Sequence, residues 1–191
     1  MKNSCSHKRS LSIAFLALVT AIAIISLFKR SEQIDAREGP YQVVRVVDGD
    51  TMILWRKGKE ERVRLLRVNT PESVHPDKKQ NTPMGVEASN FTKERLSGRE
   101  VMLEFEGDER DRYDRLLAYV FVGEENFCVT LVKEGFSPYY TAYGPSDRYD
   151  REFRHAEREA RDAHLGIWST PESTQKYLRL KSKWGQKRSD I

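Results

Sequence analysis

Cysteine is nearly absent from this chain: its 191 residues include two, Cys5 and Cys128. Cys5 precedes an apolar run and Cys128 follows it, so the pair makes no case for a disulfide. Cys128 reads instead as a lone buried thiol behaving as a small hydrophobe. Histidine is scarce as well. His7, His75, His155 and His164 have no ligand-like spacing, which argues against zinc. A dominant charge of one sign is missing from the middle of the chain. The formal net charge is +4, from 33 basic and 29 acidic residues. Residues 1–30 carry five basic and no acidic side chains, and residues 170–191 carry six basic and two acidic. The remaining 22 basic and 27 acidic residues leave residues 31–169 at a net −5. Such a body does not hold anions through its overall field. Any anion affinity there must come from individually placed arginines or from a metal. No internal repeat is visible.

Long apolar runs are missing too, with one exception. "LSIAFLALVTAIAIISLF", Leu11 to Phe28, is 18 residues without a charge. It follows Lys2, Lys8 and Arg9 and precedes Lys29 and Arg30. A spanning helix needs roughly 17 to 25 such residues. Ala21-Ile22-Ala23 offers the small-x-small site of a cleaved signal, but the run continues five residues past it. An uncleaved anchor and a cleaved signal both stay open, and both carry the rest of the chain across a membrane. The expected organisation is a basic start (1–10), an anchor or signal (11–28), a linker (29–40), one domain (41–169) and a basic, disordered tail (170–191).

Within the domain, alternating apolar residues predict strands over Tyr41–Val47, Thr51–Trp55 and Arg62–Val68. Asp48-Gly49-Asp50 and Lys57-Gly58-Lys59 are turn chemistry, so these strands form an antiparallel meander. Thr82 and Pro83 open a helix that runs to about Leu96, with Gly98 ending it. Strands are expected at Glu100–Phe105 and Leu116–Val122, with a loop over 107–114 between them. Asn126 caps a short helix that stops at Gly135. Ser146 to His164 is helical, because Tyr149, Phe153, Ala156 and Ala160 recur at spacings of four, three and four. The order predicts an α+β fold, mainly β barrel: a five-stranded OB barrel with about three helices, preceded by an N-terminal apolar helix.

Four segments carry more than fold. They are "DGDT" at 48–51, "RLLRVNTPE" at 64–72, "DRYDRLLAYVF" at 111–121 and "LGIWS" at 165–169. Together, in this order and spacing, they resemble the staphylococcal nuclease (thermonuclease) family over roughly Tyr41 to Ser169. The resemblance implies an endonuclease that hydrolyses phosphodiester bonds of DNA and RNA with Ca²⁺. Phosphate and metal contacts carry no sequence information, so low sequence specificity is expected, and the apolar run at 11–28 leads to the expectation of a monomer working outside the cytoplasm. Carried over by position, Asp50, Asn69 and Thr70 resemble the metal ligands, Thr70 through its carbonyl. Glu72 resembles the residue that orients or deprotonates the attacking water. Arg64 and Arg115 resemble the phosphate-clamping arginines. Arg112, Tyr113 and Tyr143 correspond to positions near the bound nucleotide.

The chemistry gives each residue a reason. A phosphodiester is anionic and repels hydroxide, so hydrolysis needs charge neutralisation and a poised water. Ca²⁺ takes carboxylate, carbonyl and water oxygens. Arginine matches phosphate with paired N–H donors and stays charged. The family usually carries aspartate where this chain has Asn69. An amide oxygen brings no negative charge, so weaker metal binding or another divalent cation is expected, with Asp48 as a compensating acid.

Blander readings stand beside these. The rival function is an OB-fold module that binds single-stranded nucleic acid without cutting it. Strand parity puts Arg64 on the face of Leu66 and Val68, where it reads equally as a surface arginine with a buried stem. Arg115 has Asp111 and Asp114 as possible loop partners. Tyr139, Tyr140 and Tyr143 either stack on bases or pack their loop onto the last helix. Glu157 reads as a structural acid and Trp168 as a packing anchor.

Overall fold

The computed structural model describes residues 36–73 and 81–186, together with Phe15, residues 18–22, Ile24 and Ile25. The chain divides into two units, Met1–Arg37 and Glu38–Ile191. In the first, the described positions between 15 and 25 are helical, and the rest of the apolar segment 11–28 lies outside the described residues. Among the described residues, no helix is long and apolar enough to cross a membrane.

The second unit is built on six strands: β1 (Arg37–Val46), β2 (Thr51–Arg56), β3 (Lys59–Leu65), β4 (Glu100–Arg110), β5 (Leu116–Val122) and β6 (Glu125–Asn126). They run in the order β3-β2-β1-β4-β5-β6, and an additional β3–β5 pairing closes the first five into a barrel. That pairing is parallel, with Val63 opposite Leu116 and Arg64 opposite Leu117. The interior holds Met52, Leu54, Val63, Leu65, Leu103 and Leu116, all fully buried. This is the expected α+β, OB-type architecture.

Helix α1 (Pro83–Leu96) starts as its sequence predicts: Thr82 Oγ1 accepts from Gly85 N at 3.0 Å. Asn126 caps α2 (Phe127–Lys133), its side chain accepting from Cys128 N at 3.1 Å. Cys128 is a free, buried thiol, pushed up to about 12 by burial. Helix α3 (Asp150–Asp162) buries Phe153, Ala156, Glu157 and Ala160. A short 3-10 turn, Gly166–Trp168, then leads to α4 (Pro171–Gln186).

Several boundaries differ from the sequence reading. The third strand stops at Leu65 instead of Val68, because Arg67 takes a left-handed φ of 61° and breaks the alternation. The first strand begins at Arg37, inside the expected linker, and β4 runs on to Arg110 across part of the expected loop. Helix α3 begins at Asp150, not Ser146. Ser146 Oγ accepts from Tyr149 N at 2.9 Å and so closes a turn before it. The tail is the largest correction. Residues 171–186 are helical, with Tyr177 buried against Trp168. Lys181 Nζ donates to both Glu157 oxygens, at 2.6 and 2.7 Å.

Candidate active site

The β1–β2 turn places Asp50 at one mouth of the barrel. Asp50 is 6% exposed. Its Oδ2 accepts from Thr70 N at 2.8 Å and Thr70 Oγ1 at 3.1 Å, and its Oδ1 from Thr51 Oγ1 at 3.2 Å. The glycine between the two aspartates is needed for packing. A Cβ on Gly49 would lie 2.7 Å from Thr70 Oγ1 and 2.9 Å from Thr70 Cβ. Asp48 Oδ1 accepts from Asp50 N at 3.0 Å. Burial, and then the neighbouring Asp50 charge, push the Asp48 carboxyl up to about 6.

Arg64 sits at the same mouth, opposite Thr51 of β2 and Leu117 of β5. Its side chain is 14% exposed, so it is not the surface arginine that strand parity allows. Nη1 donates to the carbonyls of Leu65 and Val68 at 3.0 and 2.9 Å. Nη2 donates to Asn69 Oδ1 at 3.0 Å and lies 3.1 Å from Asp50 Oδ2. The Asp50 and Asn69 oxygens therefore converge on one point. Asn69 N donates to the hydroxyl of buried Ser137 at 2.7 Å, which fixes the turn from below.

Glu72 is exposed, but its backbone is pinned. Its carbonyl accepts from Thr82 N at 2.9 Å, against the first turn of α1. Gly85 makes this approach possible: a Cβ there would lie 2.5 Å from the Glu72 carbonyl carbon and 2.8 Å from Pro71 O. A glycine inside a predicted helix is the sequence signal for such a contact.

The β4–β5 connection supplies the opposite wall. Arg115 takes Asp111 as its partner, with Nε at 2.7 Å and Nη2 at 2.6 Å from Asp111 Oδ2, while Asp114 goes to Arg110. Burial raises the Asp111 carboxyl, but the Arg115 guanidinium and two backbone N–H groups outweigh it and hold the group below its usual range. Arg112 donates to Tyr113 OH at 2.6 Å, and the Tyr113 ring lies within 5.4 Å of the Arg115 guanidinium carbon.

One cluster was invisible in the sequence. Arg67 Nη2 donates to Glu106 Oε1 at 2.6 Å, and its Nη1 donates to Gly144 O at 2.7 Å. Glu106, 7% exposed at its side chain, also accepts from Tyr119 OH and Ser146 Oγ, both at 3.0 Å. Arg67 O accepts from Tyr140 N at 2.9 Å. This network clamps the 139–146 segment beside the cleft. Tyr139 is buried and stacks on Phe153, so it packs, whereas Tyr143 is 84% exposed. Glu157 accepts from Tyr139 N at 2.9 Å and acts structurally, and Trp168 is fully buried.

These pieces line a single cleft of about 950 Å³. It brings together Asp50, Arg64, Asn69, Thr70, Glu72, Arg112, Tyr113, Arg115 and Tyr143, and adds Arg62, Arg67, Glu106 and Tyr140. A cation fits the donor chemistry: the candidate ligands are all oxygens, which suits a hard ion. The Asp50 charge adds to burial in raising the half-buried Asp48 carboxyl, an effect that a bound cation would relieve.

Comparisons with known proteins identify the family. The sequence profile described as "Staphylococcal nuclease homologue" matches residues 62–170. The chain is 43% identical over 164 residues to a thermonuclease of Staphylococcus intermedius, covering 79% of this chain and 94% of that protein. It is 37% identical over 172 residues to a thermonuclease of Staphylococcus hyicus, covering 84% and 99% respectively. It is also 42% identical over 126 residues to the endonuclease YncB of Bacillus subtilis (strain 168), covering 65% of this chain and 59% of that one. On the closed barrel, the shared cleft and these matches, the chain belongs to the staphylococcal nuclease family.

Proposed function

We propose that this nuclease is a Ca²⁺-dependent endonuclease that hydrolyses DNA and RNA with little sequence preference, outside the cytoplasm. The observation that carries the reading is the convergence of Asp50, Arg64, Asn69, Thr70, Glu72 and Arg115 on one cleft. The Asp50 carboxylate, the Asn69 amide oxygen and the Thr70 carbonyl would hold the cation. When bound, it supplies positive charge beside a non-bridging phosphate oxygen. Glu72 orients the attacking water and takes its proton. Arg64 and Arg115 donate to the phosphate and stabilise the charge that builds as phosphorus becomes five-coordinate. Asp111 holds Arg115 in place for this role. Arg112, Tyr113 and Tyr143 flank the nucleotide. Phosphate contacts carry no sequence information, which favours broad substrate use. The apolar run at 11–28 with its basic flanks supports export, leaving residues 41–169 as the catalytic domain.

The test is digestion of end-labelled single strands of DNA and RNA by the purified chain with Ca²⁺. Both strands should shorten. A chelator should stop the reaction, and Glu72→Gln should slow it by about 10²-fold or more. A retained complex with no products would make the protein a binding module instead.

A further inference from the structure

The family profile ends at residue 170, and α4 begins at Pro171. This helix is held by two anchors. Tyr177 is buried, its ring 6.1 Å from Trp168. One turn on, Lys181 Nζ bonds both Glu157 oxygens and also donates to Tyr139 O at 3.1 Å. Positions 177, 181 and 184 recur at spacings of four and three, so they share one face of the helix. The anchors thereby deliver Trp184 to Tyr140, whose ring it meets edge-on at 4.7 Å. Tyr140 in turn meets Tyr143 edge-on at 6.0 Å. Both tyrosines line the cleft, and Trp184 lies just outside it. An aromatic path therefore leads from the cleft onto a helix that the family profile does not include.

The outward face of α4 has the charge to match. Lys176, Arg179 and Lys183 recur at spacings of three and four and are all exposed. Unlike Lys181, Arg179 and Lys183 have no ion-pair partner among the described residues.

We infer that α4 extends the substrate surface: a single-stranded nucleic acid leaving the cleft continues past Tyr143, Tyr140 and Trp184, with its phosphates against Arg179 and Lys183. The inference rests on the nuclease reading above. A single strand suits the path because its unpaired bases are available to aromatic side chains, which accept any base. Local cations matter here because the body of the chain is net acidic. The outcome for function is a preference for strands longer than the cleft alone would hold.

The experiment compares cleavage by the full chain of single strands of about 4 and about 16 nucleotides, which span the site sizes of OB folds. Wild type should show the lower KM on the longer strand. Arg179→Glu/Lys183→Glu should erode that advantage about tenfold. It should also reduce the slope of log KM against log salt for the long strand by about 1.4, the loss of two single-strand phosphate contacts. Trp184→Leu should erode the length advantage by a similar factor with little change in salt slope. Lys57→Glu, in the turn at the far end of the β2–β3 hairpin, is compared with Lys183→Glu alone as a control of equal net-charge change, and thermal melting verifies that each variant is folded. An unchanged length ratio and salt slope, in variants that still cut both strands, overturns this inference and leaves the nuclease reading standing. A wild-type chain that cuts neither strand overturns both. Loss of binding to anionic vesicles in the charge variants, with the length ratio intact, would make α4 a membrane-contacting helix instead.

Discussion

Gly85→Ala perturbs the site without substituting any residue proposed to act on the substrate. The new Cβ would stand 2.5 Å from the Glu72 carbonyl carbon, where ordinary contact begins at 3.4 Å. The Glu72 carbonyl oxygen is closer still, so something must retreat by about 1 Å or more, and both neighbours are backbone, Glu72 on one side and the first turn of α1 on the other. The turn preceding α1 gives way more readily than a 14-residue helix, so Glu72 moves. A displacement near 1 Å in a catalytic group costs about 10²-fold in rate. Stability should fall. Alanine gains about 1 kcal/mol over glycine in a helix, but straining the Thr82 N to Glu72 O bond forfeits about 1 kcal/mol, and forcing packed backbone aside costs about 1–3 kcal/mol more. The assay is steady-state cleavage of a labelled single strand beside a thermal melt. Expected is a kcat lower by about 10²-fold with KM nearly unchanged, since Glu72 acts on the water and not on binding. A folded variant with wild-type kcat would refute the argument that the α1 turn positions Glu72.

Three further outcomes follow from the geometry. Lys181→Met leaves the buried Glu157 carboxylate with only Tyr139 N, and breaking such a pair costs about 3 kcal/mol. At about 2–4 °C per kcal/mol the melting temperature should fall by about 6–12 °C. Lys181→Met/Glu157→Gln should recover most of that, and a double variant as unstable as the single would contradict the pairing. In chelator, Asp48 should make stability fall with rising pH. Its folded carboxyl is held near 6 against an ordinary 3.8, so its contribution is complete below about 4 and lost as pH rises through 6. That amounts to about 2–3 kcal/mol, and Asp48→Asn should remove the fall in urea unfolding at pH 4 and pH 8. Identical pH profiles for the two proteins would contradict it. Asn69→Asp adds a charged oxygen where Asp50 and Asn69 converge, so cleavage should reach half its maximum at lower Ca²⁺. An unshifted Ca²⁺ titration would mean that position 69 contributes nothing to metal affinity.

Much of the barrel was legible because its information is local. The Val63/Leu65 alternation, the Thr82 and Asn126 caps and the Asp-Gly-Asp turn each act within a few residues, and each element formed nearly where its sequence indicates. Three of the four short motifs likewise pointed to one mouth, and residues from each of them line one cleft, while the fourth, at 165–169, packs away from it with Trp168 buried. What failed was non-local. Nothing near Arg67 announces Glu106, which comes from another strand, or the left-handed backbone that ends β3 early. Nothing in the basic tail announces Glu157, whose carboxylate turns Lys181 from a solvated charge into an anchor. Composition described the tail correctly as basic and still misjudged its order, because the partner that orders it sits 24 residues upstream.

The central claim is that Arg64 and Arg115 serve one phosphate. Its most direct test is a kinetic cycle: kcat/KM on a single strand for Arg64→Lys, Arg115→Lys and the double variant. Lysine keeps the charge and loses the paired donors. Two groups on one transition state should be coupled, so each single loss is large and the double loss falls well short of their product, by about 1 kcal/mol or more. Losses that multiply fully, or a single variant with intact kcat/KM, would contradict the account.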